Sequence, residues 1–146
     1  MNFLQPFDIS ASGLTVERLR MDVISQNIAN ANTTRTEEGT PYRRNLVVVQ
    51  ERSKTKSFGE YLNETSQQFS GTGVKAVHIS KDPTPFKRVY NPSHPDANED
   101  GYVELPNVDT LKEMVDMMSA TRSFEANVTA FNATKTMAMK ALEIGR

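Results

Sequence analysis

From Asn107 onward the chain reads NVDTLKEMVDMMSATRSFEANVTAFNATKTMAMKALEIGR, with no proline and no glycine until Gly145, its penultimate residue. Steps of three and four along it touch Met114, Met117, Thr121, Phe124, Val128, Phe131, Lys135, Ala138 and Leu142. Most of these are apolar, and the period near 3.5 is that of one helix face. Asp109 is the expected N-cap, with Pro106 just outside. A helix of about 34 residues is roughly 50 Å long, more than a small globular core needs, so its apolar stripe requires a partner.

A second stripe lies at the other end. Asp8 or Ser10 is the expected cap of a helix running to about Asn30. Phe7, Ala11, Leu14, Met21, Ile24 and Ile28 share one of its faces, and most of the charged residues (Glu17, Arg18, Arg20, Asp22) fall away from it. Two long helices at the chain ends point to an antiparallel terminal pair. The expected fold is therefore mainly α with a small β portion: N- and C-terminal helices pairing as an antiparallel coiled coil around a short β-rich middle segment. The expected division is 1–34 (N-terminal axial helix and turn), 35–106 (middle segment) and 107–146 (C-terminal axial helix). An ordinary intrachain core is the simple alternative account of both stripes. Five of the seven methionines lie in the C-terminal stretch, and methionine adapts to irregular contacts, which favours a surface that packs against inequivalent neighbours.

The expected assembly surface follows from these stripes and from the turn between helix and middle segment. Its residues are Phe7, Leu14, Met21, Ile24, Ile28, Asn30, Asn32, Met114, Met117, Phe124, Val128, Phe131 and Leu142. Asn30 and Asn32 belong to NIANANTT (27–34), which stops the first helix because asparagine tolerates left-handed caps and forms Asx turns.

The middle segment carries four expected strands: 42–50, 74–80, 86–90 and 101–105. The polar stretch 52–73 between the first two reads as a loop. The apolar content of 37% is low for a chain that buries itself alone. A net charge of −1 gives no global field for nucleic acid or an anionic membrane. Without cysteine, neither disulfides nor thiol chemistry is available. No apolar run of about 18 residues spans a membrane, and the N-terminus lacks the basic and apolar regions of a secretory signal.

No catalytic set stands out. His78 and His94 have no companion nucleophile, and Gly71-Thr72-Gly73 precedes a strand where a phosphate loop would precede a helix. No cofactor is expected. Asp96-Ala97-Asn98-Glu99-Asp100-Gly101 copies the first half of a calcium loop, D-x-N-x-D-G, but the twelfth position is Asn107 where a bidentate Glu is needed. The same Asp-Gly before Tyr-Val serves equally as a hairpin turn.

Four stretches together resemble the flagellar basal-body rod proteins, most closely their proximal-rod branch, over essentially the whole chain: FDISASGL (7–14), RMDVISQNIANANTT (20–34), HPDANEDGYVELPNVD (94–109) and EMVDMMSATRSFEAN (113–127). The resemblance implies a non-enzymatic structural subunit, exported unfolded by the flagellar type III apparatus without a cleaved signal peptide. It also implies helical assembly with itself and with neighbouring rod proteins of the FlgB, FlgF, FlgG and FliE types. The product would be a rod in the periplasm, both torque-transmitting drive shaft and export channel. A generic coiled-coil adaptor and a calcium-binding module are the two other classes the residues leave open.

Overall fold

A computed structural model describes residues 5–52 and 72–144. Two long helices frame two β-hairpins. Helix α1 spans Gln5–Ala29 and helix α2 spans Thr110–Ile144. Between them lie β1 (Asn45–Glu51), β2 (Val74–Lys81), β3 (Lys87–Tyr90) and β4 (Tyr102–Leu105). The loop read over 52–73 falls, from 53 to 71, outside the described residues.

α1 begins ahead of both expected caps. Pro6 occupies its first turn, where a missing N–H leaves no helical bond unmade, and Ser10 is buried inside the helix instead of capping it. Asn30 follows α1 without the left-handed cap expected of asparagine, since no described non-glycine residue has positive φ; instead its side chain donates to the Gln26 carbonyl (2.9 Å) and accepts the Thr33 hydroxyl (3.2 Å). α2 starts where its sequence says. The Asp109 carboxylate accepts the Leu111 N–H (3.1 Å), and its carbonyl accepts the Glu113 N–H (2.9 Å).

The two helices run antiparallel along each other, as successive contacts show. Phe7 meets Phe131 edge to face (ring centroids 5.1 Å). Gly13 lies so close to Asn127 that a Cβ would sit 3.0 Å from its side-chain nitrogen. The Thr121 hydroxyl points to the Met21 sulfur (3.7 Å), and Asn27 donates to Glu113 (2.9 Å). Residue numbers rise along one helix as they fall along the other. At 25 and 35 residues the helices differ in length, and α2 runs on for some 20 Å past Phe131 at 1.5 Å per residue.

The seam residues of α2 differ in part from the expected stripe. The buried and half-buried positions include Glu113, Met117, Ala120, Phe124, Asn127, Phe131, Thr134 and Ala138, in strict steps of four and three. Met117, Phe124, Phe131 and Ala138 belong to both sets. At the alternate positions the seam takes Glu113, Ala120, Asn127 and Thr134, while Met114, Thr121, Val128, Lys135 and Leu142 are exposed. Apolarity favoured the wrong alternates, because Glu113 has a hydrogen-bond partner across the seam and Asn127, which donates to the Ser123 carbonyl of its own helix (3.0 Å), fits against Gly13.

A second face of α1 carries the first hairpin. Gly73 abuts Ser12 and Ile9, Val74 donates its N–H to the Ser12 hydroxyl (3.1 Å), and Asn45 is held by Asn27. The fifteen helical steps from Ser12 to Asn27 span about 22 Å, and the seven residues of β1 span about 20 Å, so the hairpin lies along this part of the helix. Val16 and Val23, buried in α1, fall on this face. β1 pairs antiparallel with β2, with a bulge between Val48 and Val49. β1 starts at Asn45, later than the expected Tyr42, because Tyr42 and Arg44 are taken up by side-chain anchoring.

β3 and β4 form a separate antiparallel hairpin. Its loop is closed by Asn98 and Gly101 (N–H to O, 2.8 Å). Gly101 has φ +77°, and a Cβ there would stand 2.9 Å from the Tyr90 ring, so both conformation and space require glycine. Among the described residues the buried apolar side chains are Val16, Val23, Val103, Pro106, Val108 and Ala120. A core that small leaves polar contacts to fix how the parts meet.

Candidate functional site

Where α1, β1 and the start of α2 converge, the interior is polar. Glu113 (0% exposed) and Asn27 (1%) are its most buried members. The Asn27 side chain acts as a strand would: its Nδ2 donates to the Asn45 carbonyl and its Oδ1 accepts the Asn45 N–H, both at 2.9 Å. The same amide donates to Glu113 Oε2 (2.9 Å) and accepts the Tyr42 hydroxyl (3.0 Å). All three segments are thus tied through one side chain.

Arg44 completes the cluster. Its guanidinium donates to Glu113 Oε1 at 2.6 Å, reaches Asp116 at 3.2 Å and lies 3.5 Å from Asp82. Its backbone N–H donates to Asn107 Oδ1 (2.8 Å). Asn107 in turn donates to the Asp82 and Thr84 carbonyls and to the Thr84 hydroxyl. Burial opposes the charge on Arg44, but Glu113 outweighs it and leaves the guanidinium above its ordinary pKa. Burial raises the Tyr42 phenol. The backbone N–H and hydroxyl of Thr84, with Arg44 adding to them, hold Asp82 below the usual carboxylate value. A buried ion pair with every partner in place fixes geometry more than it adds stability.

Beside the cluster is a hollow of about 170 Å³ whose lining includes Val23, Ile24, Leu46, Val47 and Ala120. Chemically the ensemble is a fastener: three carboxylates, Glu113, Asp116 and Asp82, share the one guanidinium of Arg44, and no nucleophile stands beside a free base. The former calcium-loop aspartate, Asp96, accepts the Thr34 hydroxyl (2.8 Å) and pairs with Arg35 (3.9 Å), so it secures the end of NIANANTT. Among the described residues no group of three or more His, Asp or Glu is gathered for a metal ion.

The residues expected at the assembly surface divide between two faces. Phe7, Leu14, Met21, Ile24, Ile28, Asn30, Met117, Phe124 and Phe131 are half-buried, and Asn32, Met114, Val128 and Leu142 are exposed. The structure brings Phe7 to Phe131 and Met21 to the Met117–Thr121 turn. It turns Met114 outward with Leu111, Val115 and Met118, all exposed, on the side of α2 away from α1. Farther along, Met137, Met139 and Leu142 are exposed too. Sequence reasoning missed Glu113, Arg44 and the role of Asn27. The available signal was a polar residue at seam spacing in each helix, the pattern by which polar groups set register.

The segments joined here are also those that comparison with known proteins picks out. The description "Flagella basal body rod protein" matches residues 7–35, which take in α1 and the turn after it. "Flagellar basal body rod FlgEFG protein C-terminal" matches residues 99–144, which take in β4 and α2. The chain is 53% identical to the flagellar basal-body rod protein FlgC of Bacillus subtilis, over 100% of both chains. It is 43% identical to FlgC of Borreliella burgdorferi over 99% of this chain and 98% of that one. It is 40% identical to FlgC of Aquifex aeolicus over 98% and 97%. This chain belongs to the FlgC family of flagellar basal-body rod proteins. As a member of that family it is a structural subunit of the rod and not an enzyme. The polar fastener accordingly serves architecture: it holds the β1–β2 hairpin of a FlgC-family subunit against the junction of its terminal helices.

Proposed function

We propose that this subunit takes its place in the proximal rod by burying the outer face of α2 against neighbouring subunits. The observation that carries this is the state of that face. A 35-residue helix already has its seam filled by α1 as far as Phe131, yet Leu111, Met114, Val115 and Met118 remain exposed on the opposite side. A helix apolar on more than one side belongs in an interior, and large exposed apolar patches mark association sites. The neighbours are further copies of this chain and rod proteins of the FlgB, FlgF, FlgG and FliE types. The contacts repeat without closing, which yields a helical structure.

In that assembly the terminal helices work as an antiparallel coiled coil and form the wall of a channel. The division is 1–34 and 107–146 for the axial helices and 35–106 for the outward middle segment. The rod so formed lies in the periplasm, receives its subunits from the flagellar type III export apparatus and carries torque. The half-buried residues of the expected surface, Phe7 and Phe131 among them, set the seam that presents the outer face.

The test is a Met114→Glu, Met118→Glu double variant expressed in place of the natural chain. Both positions are exposed in the subunit, so circular dichroism and the urea midpoint stay close to those of the unaltered protein. Burying an apolar side chain of this size contributes roughly 1.5–3 kcal/mol, so incorporation into purified basal bodies falls by tenfold or more and motility is lost. Normal incorporation with normal swimming would sink the reading.

A further inference from the structure

The sulfur chemistry of this chain is concentrated on α2, and Met114 and Met118 lie on the face just described. The protein has seven methionines and no cysteine, so thioethers are its only oxidisable sulfurs. The fold sorts the six within the described residues into two sets. Met114 is 52% exposed, Met118 55%, Met137 64% and Met139 51%, all on α2 and outside the seam. Met21 and Met117 are half-buried within the seam, and the Met21 sulfur faces the Thr121 hydroxyl at 3.7 Å. None of the hydrogen bonds that join Asn27, Arg44 and Glu113 uses any of the four outer side chains.

We propose that Met114 and Met118 form an oxidation-sensitive switch, in which peroxide converts their thioethers to sulfoxides and so blocks docking of the free subunit while leaving its fold intact. The proposal rests on the reading that the outer face of α2 docks. In the step, the sulfur lone pair attacks one oxygen of hydrogen peroxide and the O–O bond breaks. The second oxygen leaves as water with both protons, and the sulfur is oxidised as the peroxide is reduced. A flexible apolar side chain becomes polar and chiral. On an exposed surface that change costs the monomer little. In a dry contact between subunits it leaves an S=O acceptor without a donor. Because oxidation follows exposure, the outer set reacts before the seam set, and docking is lost before helix pairing.

The experiment uses the full chain and hydrogen peroxide. Oxidised peptides are followed by mass spectrometry, helix content by circular dichroism, and docking by incorporation into basal bodies, each sample expressed relative to its own untreated control. The four outer methionines gain oxygen several-fold faster than Met21 and Met117. Helix content holds, and relative incorporation falls by about tenfold for each sulfoxide that lands in a contact. Methionine sulfoxide reductases of both epimer specificities restore it. A variant with Met114→Leu and Met118→Leu keeps its relative incorporation under the same treatment. Oxidation of Met21 and Met117 at the same rate as the outer set, or an equal fall in the leucine variant, would overturn the proposal. So would fully oxidised chain incorporating like untreated chain, which leaves the docking reading standing. Failure of the untreated chain to incorporate at all would remove that reading and this proposal together.

Discussion

Asn27→Asp is the substitution that most sharply probes how the parts of this subunit are fastened. The side chains are nearly isosteric, so no cavity term enters. The change replaces the Nδ2 donor by oxygen and removes two hydrogen bonds, to the Asn45 carbonyl and to Glu113 Oε2, both 2.9 Å. It also sets a second carboxylate against a Glu113 that is fully buried. Two like charges at that separation repel by about 5 kcal/mol at an effective dielectric constant of 20, so the new pair holds one proton between them instead of ionising fully. At neutral pH the variant is destabilised by about 3–5 kcal/mol, the sum of lost hydrogen bonds and the cost of keeping that proton. The folded pair has a pKa above that of a free aspartic acid, near 3.9. The variant's stability therefore rises as pH falls from 7 toward 5, where the protonated carboxyl introduced at position 27 donates to Glu113 much as the amide did. Urea unfolding followed at 222 nm, at pH 7 and pH 5, measures both effects. A midpoint equal to that of the natural chain at pH 7, or a deficit that does not shrink at pH 5, would refute the role given to Asn27.

Three further changes report on separate parts. Phe131→Ala removes a half-buried ring that meets Phe7 edge to face and lowers stability by about 2 kcal/mol, less than the loss at a fully buried ring, read as a lower urea midpoint. Gly101→Ala forces φ +77° on a residue with a Cβ and drives it against Tyr90; the cost is about 1–3 kcal/mol, visible as a fall in thermal midpoint. Asp82 has its folded pKa depressed by Thr84 and Arg44, so its contribution is present above the ordinary carboxylate pKa and is lost as pH falls through the lower folded value. The stability difference between the natural chain and Asp82→Asn accordingly stays constant down to about pH 4 and closes in more acid solution.

The long helices, their antiparallel sense and the strand positions were legible because they depend on period, capping and β-branched content. Asp109 caps α2 as its residue type predicts. Phe7, Phe124 and Phe131, expected at the assembly surface, are half-buried, and Phe7 meets Phe131 within the subunit. The phase of α2 between them was not legible from apolarity. Met114 and Val128 look better suited to a seam than Glu113 and Asn127, and only the facing residues reverse that order: Asn27 and Arg44 satisfy Glu113, and Gly13 makes room for Asn127. Such pairings join residues as many as 114 positions apart, from Gly13 to Asn127, and no local pattern announces them. NIANANTT was read as a stop signal, which it is at Asn30. Its first residue, Asn27, does something different, substituting for a strand partner of β1. The Asp96–Gly101 segment looked half like a metal loop because turn-forming and metal-binding residues overlap; here Asp96 holds Thr34.

The most direct test of the central claim uses the absence of cysteine. A single Met118→Cys is introduced into a position that is exposed in the subunit, and its labelling by a maleimide is compared between the free chain and intact purified basal bodies. Burial of the outer face of α2 between subunits predicts rapid labelling of the free chain and strong protection in the basal body. Equal labelling in both would mean that this face stays open to water in the rod, and the assembly account built on it would be wrong.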